Sequence, residues 1–122
     1  PLDRIKDLFE SVQSIATEIT PDALCYGFGH VGDGNMHMMI LPLTDEDVAE
    51  FKAKKPELIR RIDELTFSLA GTLSAEHGVG LELRDRIAGQ KPPIEWELMR
   101  AIKNTFDPQG LMNPGKLLPD VD

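Results

Sequence analysis

The sequence predicts an α+β domain in which helices flank an antiparallel hairpin over residues 23–42. Three observations carry this. Asp33-Gly34 lies between two extended apolar runs, the strongest short-range hairpin signal. Ile5, Leu8, Phe9, Val12, Ile15, Ala16 and Ile19 recur at three- and four-residue steps, which predicts an amphipathic helix over about 3–19. Two further helical stripes follow the hairpin.

Pro21-Asp22 ends the first helix, and strands are expected over 23–31 and 36–42. Tyr26 and Phe28 share the face of His30, Cys25 and Val31 take the other, and apolar residues fill both sides of the second strand. Strands apolar on both sides are covered on both sides, and two strands alone do not make a stable sheet. The hairpin should therefore complete a larger sheet. Thr44 reads as an N-cap followed by first-turn acids. That helix is expected to break at Pro56, with Leu58, Ile62, Leu65 and Leu69 striping a second helix that Gly71 ends as the C′ residue. Residues 72–80 are glycine-punctuated and aperiodic, and 81–87 suit a short helical piece. Pro92-Pro93 opens the last helix, with Ile94, Leu98, Ile102 and Phe106 on its stripe. Asp107-Pro108-Gln109-Gly110 and Asn113-Pro114-Gly115-Lys116 read as tight turns.

At 122 residues, 41% hydrophobic and 28% charged, the chain reads as soluble and globular, and as one domain at most. A net charge of −8 argues against nucleic acid, whose phosphates it would repel. The single cysteine, Cys25, excludes an internal disulfide and a thiolate-rich zinc site, and reads as a small buried hydrophobe. No apolar run is long enough to span a bilayer and no signal peptide is evident, so a cytoplasmic location is expected. The chain opens at Pro1 inside a helical pattern, which reads as a fragment of something longer.

The chemistry centres on His30-Val-Gly-Asp-Gly-Asn-Met-His37. With Asp33-Gly34 as a two-residue turn, Gly32 faces Asn35, Val31 faces Met36 and His30 faces His37. Opposed Cβ atoms lie roughly 4.5–5.5 Å apart on one face, so two imidazoles could reach one metal ion. The competing reading is a polar pair at a sheet end with no ligand. The third histidine stands in Ser74-Ala-Glu76-His77-Gly78. A His-His-Glu set leaves coordination positions open, as catalytic zinc requires. Neighbouring side chains on an irregular loop are expected to diverge, so that one of Glu76 and His77 binds metal while the other faces substrate as a base.

His30–His37, Ser74–Gly80 (Ser-Ala-Glu-His-Gly-Val-Gly) and Phe106–Lys116 (Phe-Asp-Pro-Gln-Gly-Leu-Met-Asn-Pro-Gly-Lys) together resemble three successive signatures of the FAD-linked oxidase C-terminal domain. This family includes flavoenzymes such as D-lactate dehydrogenase, the glycolate oxidase flavin subunit and D-2-hydroxyglutarate dehydrogenase. The resemblance implies the last part of a cap domain, an antiparallel sheet with helices, that closes over FAD carried by a separate N-terminal domain. It implies that His30, His37 and Glu76 hold a divalent metal, zinc most often, and that His77 is the catalytic base. It places Asn113 in the turn that returns toward the flavin domain, where it and Lys116 are candidate flavin contacts. The implied reaction is oxidation of a D-2-hydroxy acid to the 2-oxo acid by hydride transfer to FAD. The alternative is a non-catalytic cap or metal-binding interaction module. Two departures stand out. Met39 occupies a position where many members with polar substrates carry asparagine, and the substrate-carboxylate arginine would lie upstream. The implied partners are a small 2-hydroxy acid and the FAD-binding domain of the same chain. The chain alone should be inactive, and its doubly apolar hairpin should drive self-association. Contact with a membrane would arise only through an electron acceptor.

Overall fold

Apolar periodicity in the first nineteen residues is realised as helix α1, Ile5–Ile19, entered through a 3-10 turn at Leu2–Arg4. A computed structural model describes residues 1–119 of the chain, which divide into two compact units, 1–75 and 76 onward. In the first unit α1 leads into strands β1 (Ala23–Phe28) and β2 (His37–Pro42) and then helix α2 (Val48–Ser68). The second holds the short helix α3 (Gly80–Arg84) and helix α4 (Pro93–Phe106). The fold is α+β, and the sheet among the described residues is the single antiparallel pair β1–β2.

Thr20 closes α1. Its N–H and its hydroxyl both donate to the Ala16 carbonyl, at 2.7 and 2.9 Å. Its own carbonyl accepts the Ala23 N–H at 3.0 Å, so Pro21-Asp22 turns the chain directly into β1. The core of this unit gathers Val12, Ile15 and Ala16 of α1 with Leu58 of α2. The strand faces are unequal. Ala23, Cys25 and Gly27 are half-buried and alternate with exposed Leu24, Tyr26 and Phe28. At Gly27 a Cβ would meet the Phe9 ring of α1 and the Met36 and Met38 side chains, each at 3.0 Å. The half-buried face is thus the one α1 packs against, and the opposite face of the hairpin is largely uncovered. Cys25 lies on the packed face as expected, where burial pushes its thiol pKa up.

The structure corrects four boundaries. The strands pair Phe28 with His37, Tyr26 with Met39 and Leu24 with Leu41. That is a register two residues away from a turn centred on Asp33-Gly34, with 29–36 forming the loop. Thr44 does not cap α2: its hydroxyl bonds the Asp47 carboxylate at 2.7 Å instead of a helix N–H, and the helix starts after Asp47. Pro56 does not break the helix, since α2 runs through it for 21 residues. Pro56 and Lys52, whose carbonyl loses its helical donor, are both exposed, so water can satisfy that oxygen. At the end of α2 the left-handed residue is Ala70 (φ 56°), not Gly71. Gly71 N–H bonds the Thr66 carbonyl at 2.8 Å and Ala70 N–H bonds that of Phe67 at 2.9 Å, a Schellman motif with glycine one place late. Gly71 is required for another reason: its Cβ would stand 2.9 Å from the Thr66 oxygen.

In the second unit the stripe Ile94, Leu98, Ile102 and Phe106 is exposed, from 57% to 75%. The buried side chain of α4 is Trp96, whose indole N–H donates to the Ala88 carbonyl at 3.1 Å. Buried Asp107 organises the chain beyond α4. Its two carboxylate oxygens accept the N–H groups of Leu111 and Met112, each at 2.9 Å, and it pairs with Lys103. The same Lys103 ammonium donates to the Met112 carbonyl at 2.7 Å. The expected turn forms above this carboxylate, closed by Gly110 N–H on the Asp107 carbonyl at 3.1 Å.

Two consequences are measurable. Ala70→Gly relieves a left-handed alanine and should raise stability by about 0.5–1 kcal/mol in urea unfolding, the entropy of glycine offsetting part of the gain; a loss would contradict the Schellman assignment. The hydrogen bond from Lys103, helped by the Met112 and Leu111 N–H groups, holds the Asp107 carboxyl below the usual carboxylate range. A depressed folded-state pKa contributes stability that is present above the unfolded value of about 3.9 and is lost as pH falls through the folded value. Acid unfolding of Asp107→Asn should therefore start from lower neutral-pH stability and depend less on pH than wild type.

Candidate functional site

The two histidines of the first unit come from the loop and from the strand that follows it. Gly29 ends β1 with φ +149°, and its missing Cβ leaves room for the Asn35 carbonyl, which a Cβ would approach to 2.5 Å. His30 precedes a 3-10 turn, Val31–Asp33. Its carbonyl accepts both the Asp33 N–H at 2.9 Å and the Asn35 N–H at 3.2 Å, while Gly34 takes the left-handed conformation at φ 77°. A type I′ turn needs positive φ at both central residues; Asp33 lacks it, so the loop lengthens to eight residues. His30 and His37 are therefore not cross-strand partners, contrary to the register read from Asp33-Gly34.

His37 opens β2 opposite Phe28 and stacks on its ring, with centroids 5.2 Å apart and planes 20° from parallel. Phe28 stacks in turn with Tyr26 at 6.4 Å. His37 thus lies on the uncovered face with Tyr26 and Phe28, the face assignment that strand alternation predicted. Within the loop, Asn35 is buried and its side-chain oxygen has no hydrogen-bond donor. Sequence reasoning passed over this amide; its place between two glycine-rich turns and a histidine was the available signal.

In the second unit Glu76 and His77 lie on the irregular segment before α3. Gly78 (φ 70°) and Gly80 (φ 56°) follow in left-handed conformations that disfavour a side chain. The neighbouring side chains do not diverge as expected: Glu76 Oε1 and His77 Nε2 approach to 3.3 Å. The His77 side chain is 81% exposed, so its ring is accessible to a reactant while a carboxylate steadies one nitrogen. Asn113 is left-handed (φ 45°), and its carbonyl accepts the Lys116 N–H at 3.3 Å. Arg84 of α3 donates to the Gly115 carbonyl at 2.6 Å, tying this turn down. Asn113 therefore has a turn-forming role, and Arg84 and Asp107 are the residues that shape the 106–116 segment.

Two imidazoles and a carboxylate are the neutral-or-anionic nitrogen and oxygen donors that a divalent zinc-type ion takes. In chemistry, the set His30, His37 and Glu76 fits such an ion.

Relatives of the chain include D-2-hydroxyglutarate dehydrogenase of Stutzerimonas stutzeri, 39% identical over 93% of this chain and 25% of that protein. The mitochondrial D-2-hydroxyglutarate dehydrogenase of Bos taurus is 38% identical over 98% of the chain and 21% of its own length. A D-lactate dehydrogenase of Anaerostipes hadrus is 30% identical over 96% and 24%. The chain thus spans about a fifth to a quarter of these relatives. Residues 1–117 match the family model described as FAD linked oxidases, C-terminal domain, and the chain belongs to that family.

Proposed function

We propose that this chain is the substrate- and metal-binding part of a flavin-dependent D-2-hydroxy acid dehydrogenase whose FAD is bound mainly by another part of the full-length protein. The observation that carries this reading is the carboxylate–imidazole contact between Glu76 and His77 on a glycine-flanked, exposed segment. Family membership and the named dehydrogenase relatives support the reaction class.

His30, His37 and Glu76 would hold a divalent cation, zinc in this reading. When bound, the cation supplies Lewis acidity that lowers the pKa of a coordinated hydroxyl. FAD supplies the acceptor for the hydride that leaves Cα. The residues of this chain do the rest. His77, exposed and oriented by Glu76, would take the substrate hydroxyl proton as the hydride departs, and the product would be the 2-oxo acid. Glu76 fixes the ring orientation and stabilises the imidazolium that results. Asn113 is placed on the flavin side of the domain in this reading.

A second reading, an interaction module without catalysis, is favoured by the exposed α4 stripe, which suits a protein surface better than a small substrate. The same stripe and the uncovered sheet face should make the isolated chain self-associate. No helix among the described residues is long and apolar enough to cross a membrane, and a cytoplasmic location remains part of the proposal.

The full-length protein tests the residue roles. His30→Ala, His37→Ala and Glu76→Ala should each lower bound metal and activity together. His77→Ala should keep its metal and lose about 10²–10⁴-fold in kcat, the range typical of a general base. Stoichiometric metal in Glu76→Ala would overturn the ligand set. Wild-type protein that binds metal but never reduces its flavin with any D-2-hydroxy acid would favour the interaction module.

A further inference from the structure

Beyond the last strand pair, Phe28 with His37, the two sides of the hairpin stay in step through the mouth of the loop. Gly29 lies against Met36, whose Cα would stand 3.2 Å from a Cβ there, and the carbonyl of His30 accepts the Asn35 N–H at 3.2 Å. Asn35 is therefore the residue across from His30 and the second residue before His37. Its backbone is held on both sides, because its own carbonyl fills the space where a Gly29 side chain would be. On this pinned backbone the side chain is 8% exposed, and its buried amide oxygen accepts no hydrogen bond among the described residues.

A buried acceptor without a donor costs stability, and most such groups in folded proteins find a partner. Leucine has nearly the shape of asparagine and would fill the same space without that cost, so packing alone does not account for the amide. The side chains that the register sets beside it are imidazoles. A neutral imidazole that gives one nitrogen to a metal ion carries its proton on the other. Metal-ligating histidines almost always donate that N–H to a carboxylate, a carbonyl or water. His37 has its ring plane set by stacking on Phe28, whereas His30 is the residue across from the amide. The inference rests on the metal site proposed above. We propose that Asn35 is a positioning residue whose Oδ1 accepts the ring N–H of His30 in the zinc-loaded protein, fixing the tautomer that leaves the other nitrogen for the cation.

The test uses the full-length protein stripped of metal, with zinc as the only added ligand and two independent readouts. The first is zinc Kd by competition with a chelator. The second is the urea midpoint without metal. Asn35→Leu should weaken zinc binding by about 10–100-fold, the usual loss for an outer partner of a metal ligand. Its metal-free midpoint should equal or exceed that of wild type, since an unpaired buried acceptor has been removed. Asn35→Asp keeps an acceptor and should recover most of the zinc affinity. In a His30→Ala background Asn35→Leu should cost no further affinity. The assignment is overturned if Asn35→Leu binds zinc as tightly as wild type, or if it is less stable than wild type without metal or does not fold, because the amide then serves the fold. It is equally overturned if Asn35→Asp binds no better than Asn35→Leu, or if the loss persists without His30. Zinc affinity unmoved by both His30→Ala and His37→Ala removes the metal site itself, and this assignment with it.

Discussion

Everything at the hairpin depends on a close backbone approach, that of Gly29 to the Asn35 carbonyl. A Cβ at position 29 would stand 2.5 Å from that oxygen, so only glycine lets the chain leave β1 there. With the strand ended at Phe28, the His30 carbonyl is available to gather the Asp33 and Asn35 N–H groups into a tight local turn. The loop satisfies its own backbone, and His37 becomes the first residue of β2. That register brings His37 onto Phe28 and places the stacked rings on the face that α1 leaves open.

The second unit solves a related problem with charge. Past α4 the chain turns at two proline-containing sites, and such segments expose backbone groups that need partners. Asp107 supplies acceptors for two of them, and Lys103 neutralises the buried carboxylate while donating to the Met112 carbonyl. Because both side chains are also hydrogen-bonded to backbone, removing either leaves several groups unsatisfied rather than one. Surface ion pairs such as Arg60 with Glu57 and Glu64 have no such consequence, since water can replace them.

Much of this was legible in the residues. The α1 stripe, the proline-opened α4 and the Asp107–Gly110 turn follow from spacing and turn chemistry, and strand alternation put Tyr26 and Phe28 on the face of His37. The face survived although the register did not, because a shift of two residues keeps every side chain on its side of the sheet. What misled was the weight given to Asp33-Gly34. That dipeptide forms a type I′ turn only if both residues take positive φ, and competition from the His30 carbonyl decided otherwise. Pro56 misled for a different reason: exposure makes the missing helical bond tolerable, and exposure is not written in local sequence. The contact of Glu76 with His77 and the buried amide of Asn35 depend on loop conformation, which residue spacing does not fix.

The central claim is that His37 is positioned by pairing with Phe28 and not with His30. Nuclear Overhauser contacts across the hairpin of isotope-labelled protein measure this directly. The account predicts contacts between Phe28 and His37 and between Tyr26 and Met39. Contacts between His30 and His37, accompanied by Phe28 with Met39, would restore the two-residue turn and contradict it.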